Sequence, residues 1–304
     1  MILEPDVFFF CVDPGLDPCA PHVIRALEQL EGVRATAAEF DGLPILSARR
    51  TDGREALFVR TADVVSNDYA RYADRLTERF GGARLAVVVN WHEGEKAPDK
   101  VLTFHSTADV VAGIYAPTTP SLFSAYVRAI ERERLRGKLV DYRTVIEATH
   151  WSGVVYGGRP EQIRDLPLPI YDMEVGSSPA SWSDPAACAA LARVCVIGPE
   201  PTTQSPAVLY CGGIHFEENV TAAVLSGQIH AGHVLPNHWL EAGDYGGCCA
   251  EAKLAACVGS YTETPMHVVV HKGMASTLRQ RCLTFAEHAG IGGMTHKQMR
   301  ALPG

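Results

Sequence analysis

The run ARLAVVVNW, Ala83 to Trp91, is apolar at almost every position, with Gly81-Gly82 before it and the polar stretch HEGEKAPDK after it. A strand that is apolar on alternate residues has one dry face, whereas one that is apolar throughout is covered on both. The chain must therefore supply helices for two faces of a sheet. DVFFFCV reads as another buried strand and PHVIRALEQL as the helix after it; LFVRTADVV is followed by SNDYARYADRLTERF, with Ser66 or Asn67 as cap. PSLFSAYVRAIERERLRG predicts a helix with Pro120 and Ser121 near its start and Gly137 at its stop. Beyond it, YRTVIEATHW, LPIYDMEVGSS, AVLYCGG, QIHAGHVLP and PMHVVVHKG read as strands. SDPAACAALARVCV (capped by Ser183), ENVTAAVLSG and ASTLRQRCLTFAEHAG read as helices among them. No repeat is evident, and YGGRPEQIRDLPLP reads as an excursion, not a boundary. The expectation is one α/β domain over 1–304, a single mixed sheet with helices on both faces.

At 304 residues, with 47% hydrophobic and 20% charged, the chain has the profile of a globular protein that can bury a large core. Its longest apolar runs are too short to cross a bilayer, so no membrane partner is expected. Glu4 and Asp6 stand where a secretory signal carries lysine, which points to a cytoplasmic location. Nine cysteines, an odd number with no CxxC, read as reduced thiols and lend no support to a cysteine-built zinc site. The net charge of −8 argues against a broadly basic nucleic-acid surface. VRAIERERLRGKLVDYR and KGMASTLRQR concentrate positive charge, and both read as solvated helix faces before they read as phosphate contacts.

Histidine recurs at the ends of the predicted strands: His92 after VVVNW, His105 after VLTF, His150 after VIEAT, His215 after LYCGGI, and His233 inside HAGHVLP. Ligands of α/β sheets sit outside the carboxyl ends of strands, so residues distant in sequence can gather there. Glu147 precedes His150 with Thr149 between them, Glu174 ends a strand before GSS, and Glu217 lies just beyond His215. A carboxylate beside an imidazole orients the ring, shares protons or completes a metal site. One histidine alone is more often structural; several at strand ends together favour a site. His230 and His233 differ by an odd step and point to opposite sides of a regular strand, so at most one faces such a site. His230 and His238 read as structural. Gly212-Gly213 suits either a tight turn or a backbone cradle for an oxyanion. Ser177, in GSSPASW, is more readily a turn residue than a nucleophile. GxGxxG, Walker A, GxSxG and HExxH sequences do not occur, which removes the fingerprints of dinucleotide, P-loop, α/β-hydrolase and zincin chemistry.

EATHWSG (147–153), MEVGSSPASWSDPAA (173–187), CGGIHFEENVT (211–221) and GHVLPNHWL (232–240) resemble, in this order, the motif series of the archaeal and plant-type D-aminoacyl-tRNA deacylases. NWHEGEKAPDKVLTFH and VVVHKGMASTLRQR are similar to further segments of that family. The resemblance implies an α/β domain related to peptidyl-tRNA hydrolase and phosphorylase-like folds, hydrolysis of the ester joining a D-amino acid to the tRNA 3′ end, and zinc as cofactor. Its partner would be aminoacyl-tRNA or a small aminoacyl conjugate. Carried over by position, His150, His215, Glu147, Glu174 and Thr149 are the expected catalytic residues. Gly212, Gly213, His92, Trp151 and Ser177 are expected to bind substrate, and His105, His150, His215, His233 and Glu217 to hold metal. Trp151 stands where the family has a second histidine, Ile214 where it has a third glycine, and Glu217-Glu218 where it has Ala-Pro. A repurposed hydrolase or transferase acting on a small ester or amide, and a non-catalytic binding protein, are the alternative readings.

Overall fold

The computed structural model describes residues 3–94, 97–200 and 204–303. Its strands are β1 (Asp6–Cys11), β2 (Arg34–Phe40), β3 (Leu43–Arg49), β4 (Glu55–Thr61), β5 (Leu85–His92), β6 (Lys100–Ser106), β7 (Ala108–Asp109), β8 (Ile114–Tyr115), β9 (Arg143–Ile146), β10 (Ile170–Ser177), β11 (Ala207–Cys211), β12 (His230–Leu235), β13 (His267–Val270) and β14 (Gly292–Thr295). Eight of them form a mixed sheet in the order β2-β3-β4-β1-β5-β10-β6-β9, and four form a second, all-parallel sheet in the order β12-β11-β13-β14.

Continuous apolar sequence places β1 and β5 side by side in the middle of the larger sheet. Phe8, Phe10, Val87 and Val89 face one hydrophobic cluster; Val7, Phe9, Ala86 and Val88 face another. Period-two alternation therefore serves two cores at once. The carboxy-terminal strands do not extend this sheet, because the helix Pro120–Arg136 packs against β6 and β9 and also against β12. Phe123, Tyr126, Val127, Ala129 and Ile130 are buried around most of its circumference, so it needs cover on two sides.

Local departures from the sequence expectations have simple causes. The strand expected over LFVRTADVV stops at Thr61 and gives way to a turn at Val65–Asn67. The helices expected to be capped by Ser66 or Asn67, and by Ser183, are capped instead by Asp68 and Asp184, whose carboxylates accept the free backbone N–H groups. The strand expected over YRTVIEATHW ends at Ile146: Glu147 and His150 still donate to Phe104 O and Ser106 O of β6, but between them Ala148 donates to His215 O and Thr149 to Val234 O, which breaks the ladder. The β2–β3 hairpin was not expected at all. In the helix Pro120–Arg136, Arg132 and Arg134 are paired with Glu133, Glu200 and Glu131, the compensated surface that its sequence suggested. Among the described residues no helix is long and apolar enough to cross a membrane.

Candidate active site

Three adjacent strands build the floor of the site. Asn90 and His92 come from β5, Asp172 and Glu174 from β10, and Thr103 and His105 from β6, each pair two residues apart and so on one face. Register aligns them: Glu174 lies opposite Asn90 and Thr103, and Asp172 opposite His105. Asn90 Nδ2 donates to Asp172 Oδ1 at 2.7 Å. His105 Nε2 approaches Glu174 Oε1 at 3.4 Å while its Nδ1 faces Ser106 O at 3.2 Å, so both of its nitrogens are engaged.

The walls come from the segments leaving β9 and β11. A bridge between Glu147 and Phe216, with hydrogen bonds from Ala148 N to His215 O and from Glu217 N to Ile146 O, joins them. This brings His215 Nε2 to 2.7 Å from Glu147 Oε1, with His92 Nε2 at 3.4 Å and His150 Nε2 at 3.7 Å from the same oxygen. Glu147 is buried and its Oε2 has no hydrogen-bond partner. His150 Nδ1 donates to Ala148 O at 2.9 Å, which leaves its Nε2 with a lone pair. The rings of His105 and His150 stack with centroids 4.0 Å apart.

Burial and neighbouring charge set the protonation states apart. Burial alone would raise Glu147, but hydrogen bonds from His215 and His92 and the charges of nearby imidazoles hold it well below the usual carboxylate range. Glu174, buried and close to the Glu147 charge, is pushed up to about 7. Burial works against the His105 cation, yet its hydrogen bond to Glu174 and the surrounding carboxylates raise it to about 10. His150, partly buried beside that cation, is lowered to about 3 and stays neutral. Two acids in one site thus differ in charge at neutral pH, an arrangement suited to moving a proton.

A cleft of about 260 Å³ opens onto His92, Glu147, His150, Glu174 and His215. It shares Val64, Asn67, Trp91 and Tyr156 with an adjoining cavity of about 490 Å³.

The structure brings together six of the sequence-selected residues, His92, His105, Glu147, His150, Glu174 and His215, with Ser177 Oγ at 2.9 Å from His92 Nδ1. Others it places elsewhere. His233 is fully buried, with Nδ1 on Ser106 Oγ and Nε2 on Ser260 Oγ, so it has no nitrogen left for a metal. Glu217 caps the helix Glu218–Leu225, accepting from Asn219 and Ile214. The Thr149 hydroxyl is held by Ser106 Oγ and Val234 N and belongs to the packing between the sheets. Trp151 stacks on Tyr69 and donates to Ser66 O, away from the cleft. Gly212 and Gly213, at φ 100° and 84°, make the turn toward His215, but Gly212 N–H is taken by Leu235 O and Ile214 N–H by Glu217. Those two amides are therefore not free for an oxyanion. Asp172, Asn90 and Thr103 were missed; each lies two residues from a selected residue on its strand, and period two was the signal. Asn67 and Tyr156 reach the cleft from a turn and a loop and carried no such signal.

His92, Glu147 and His215 each offer one ligand atom within 4.8 Å of the others, and so do His105, Glu147 and His150. The first set fits a metal better, because His92 turns its Nε2 to Glu147, a member of its own set, and has its Nδ1 fixed by Ser177, whereas His105 turns its Nε2 to Glu174, outside the second set.

A buried carboxylate ringed by imidazoles at strand ends, in an α/β frame, is the layout of a hydrolytic enzyme's centre. A family model described as D-aminoacyl-tRNA deacylase matches residues 80–293. The chain belongs to that family. It is 29% identical over 279 residues to a D-aminoacyl-tRNA deacylase of Ignicoccus hospitalis, covering 91% of this chain and 95% of that protein. A namesake from Methanoregula boonei is 31% identical over 144 residues, 45% of this chain but only 29% of that longer protein. A crystal structure of a conserved protein of unknown function superposes with a TM-score of 0.76 at 16% identity, covering 99% of this chain and 98% of the other, which shows a common fold.

Proposed function

We propose that the protein hydrolyses the ester between a D-amino acid and the 3′ end of tRNA, acting in the cytoplasm where charged tRNA is used. Family membership supplies the substrate class; the observation that carries the chemistry is Glu147, ionised, buried and set among three imidazoles at the mouth of a cleft. In the reaction, water adds to the ester carbonyl, the bond to the ribose oxygen breaks, and the products are the D-amino acid and a free ribose hydroxyl. Glu174, poised near 7, takes the proton from the attacking water and returns it to the ribose oxygen. Glu147 holds His92 and His215 in place, and half-exposed His215 faces the ester.

The donor set of His92, Glu147 and His215, with the unpartnered Glu147 Oε2 beside it, suits zinc. Bound there, zinc would supply a Lewis acid and a water of lowered pKa.

The test is release of D-amino acid from D-aminoacyl-tRNA by purified protein, beside the L-aminoacyl-tRNA. Glu174→Gln is expected to lower kcat by about 10²- to 10⁴-fold. Survival of the ester with the wild type sinks the proposal, and protein that is active and free of zinc by elemental analysis sinks the cofactor.

A further inference from the structure

The carboxyl ends of the second sheet hold a different kind of site. Lys272 follows β13, Lys297 and Arg300 follow β14, and Arg279 reaches across from the helix Ser276–His288; together with Val270, Thr295 and His296 they line a cleft of about 610 Å³. Lys272, Lys297 and Arg300 are exposed and Arg279 is half-buried. None of the four forms an ion pair with a described carboxylate, and no acid lines the cleft. On the helix Pro120–Arg136 and its neighbour, by contrast, Arg132, Arg134 and Arg193 all meet glutamates. Four unrelieved cations in a protein of net charge −8 repel one another unless an anion joins them. Backing them, the rings of His271 and His296 lie 4.9 Å apart.

Its position relative to the ester site gives the cleft a use. β11, β13 and β14 are neighbours, all parallel, so the turn carrying His215 and the cleft share one edge of the sheet. Two strand spacings amount to about 10 Å. Gly212 packs so tightly on His271 and Met274 that a Cβ there would fall 2.7 and 2.5 Å from their atoms, which ties the turn to the segment bearing Lys272.

We propose that this cleft binds the phosphodiester backbone of the RNA whose 3′ end is held at Glu147 and His215. The inference rests on the deacylase reading for the identity of the RNA, and it explains how an acidic protein engages a polyanion. Phosphate contacts of this kind position a nucleic acid without reading its sequence. RNA affinity should then fall with salt in proportion to the phosphates neutralised, about 0.7 per contact for a single strand on logarithmic axes.

Two variants test it, Arg279→Gln/Arg300→Gln and Lys272→Gln/Lys297→Gln, each assayed for binding of uncharged tRNA across a salt series and for hydrolysis of D-aminoacyl-tRNA and of the D-aminoacyl ester of adenosine, which carries no phosphate. The expected result is at least about tenfold weaker tRNA binding with a salt slope shallower by about 0.7 per charge removed. Turnover of the adenosine ester should stay at wild-type level. Unchanged tRNA binding in both variants overturns the proposal, as does an equal loss on both substrates, or competition by inorganic phosphate at the concentration that RNA requires. A wild type that binds tRNA through these residues yet leaves the ester intact defeats the deacylase reading and not this one.

Discussion

Two buried carboxylates of the larger sheet and its edge are treated in opposite ways. Asp6 starts β1, and Arg84 Nε and Nη2 donate to its two oxygens at 2.8 and 2.6 Å, joined by Arg50 and the Tyr126 hydroxyl. Glu147, beyond the carboxyl end of β9, has His215 and His92 on one oxygen, with His150 at 3.7 Å from it, and leaves the other oxygen without a partner. Arg50 is fixed further by Tyr126 and Cys195 O, so the Asp6 cluster is anchored to two helices and carries permanent charges. The Glu147 cluster is made of groups that can exchange protons, and it opens on a cleft. Complete satisfaction makes one carboxylate a fastener; incomplete satisfaction leaves the other reactive.

Substitution should separate the two roles. Glu147→Gln is expected to lower kcat/KM for the aminoacyl ester by about 10³-fold, within the range for loss of a group that organises proton transfer, with a smaller loss of stability in urea than at Asp6 because no buried arginine is stranded. Asp6→Ala leaves Arg50 and Arg84 buried without their counter-ion and is expected to cost about 3–5 kcal/mol of stability, with kcat of the folded fraction unchanged. If each variant lost activity and stability together, the contrast between the clusters would fail.

The pH dependence of unfolding sharpens the comparison. Burial raises the Asp6 carboxyl, but the Arg84 hydrogen bonds and the Arg50 charge outweigh it and depress its pKa below the ordinary 3.8. A depressed carboxyl contributes stability above the unfolded value and loses it as pH falls through the folded one, so the Asp6 cluster weakens below pH 3.8. His105 is raised from 6.5 to about 10, so its contribution is complete below 6.5 and disappears as pH rises through 10. Wild type minus Asp6→Asn should therefore differ in acid, and wild type minus His105→Gln in alkali. Urea titrations at fixed pH distinguish them, and a His105→Gln difference that stayed constant between pH 6.5 and 10 would refute the assignment.

The two clusters were not equally legible in sequence. Strand periodicity and the rule of carboxyl ends selected His92, His105, Glu147, His150, Glu174 and His215, because a polar residue closing an apolar run is conspicuous. Asp6, Arg50, Arg84 and Tyr126 are spread over 120 positions and join only when β1, β5 and the helix Pro120–Arg136 pack, so nothing local announced them. His233 was misjudged for a related reason. Strand parity predicts which side of a strand a residue faces, and it does not say which sheet the strand enters; β12 belongs to the second sheet, where that side meets Ser106 and Ser260. The basic cleft lies between these extremes. KGMASTLRQR was visible as a charge run, but Lys297 and Arg300 come from beyond β14, and only the fold completes it.

The smallest effect is expected at Trp151, which sequence alone assigned to substrate. Its indole donates to Ser66 O at 2.6 Å and stacks on Tyr69 with ring centroids 5.7 Å apart, while Gly153 and Gly158 close over it so tightly that a Cβ at Gly153 would lie 2.3 Å from the ring. The side chain thus pins the loop that carries Tyr156 to the cleft without entering the cleft itself. Trp151→Phe keeps the stack and deletes one buried hydrogen bond, which should cost about 1 kcal/mol in urea unfolding. KM and kcat for the aminoacyl ester should change by less than about twofold, since tenfold requires about 1.4 kcal/mol in the transition state. A large rise in KM with unaltered stability would return Trp151 to the substrate pocket, and the loop, no longer merely supported by it, would have to close on the bound amino acid.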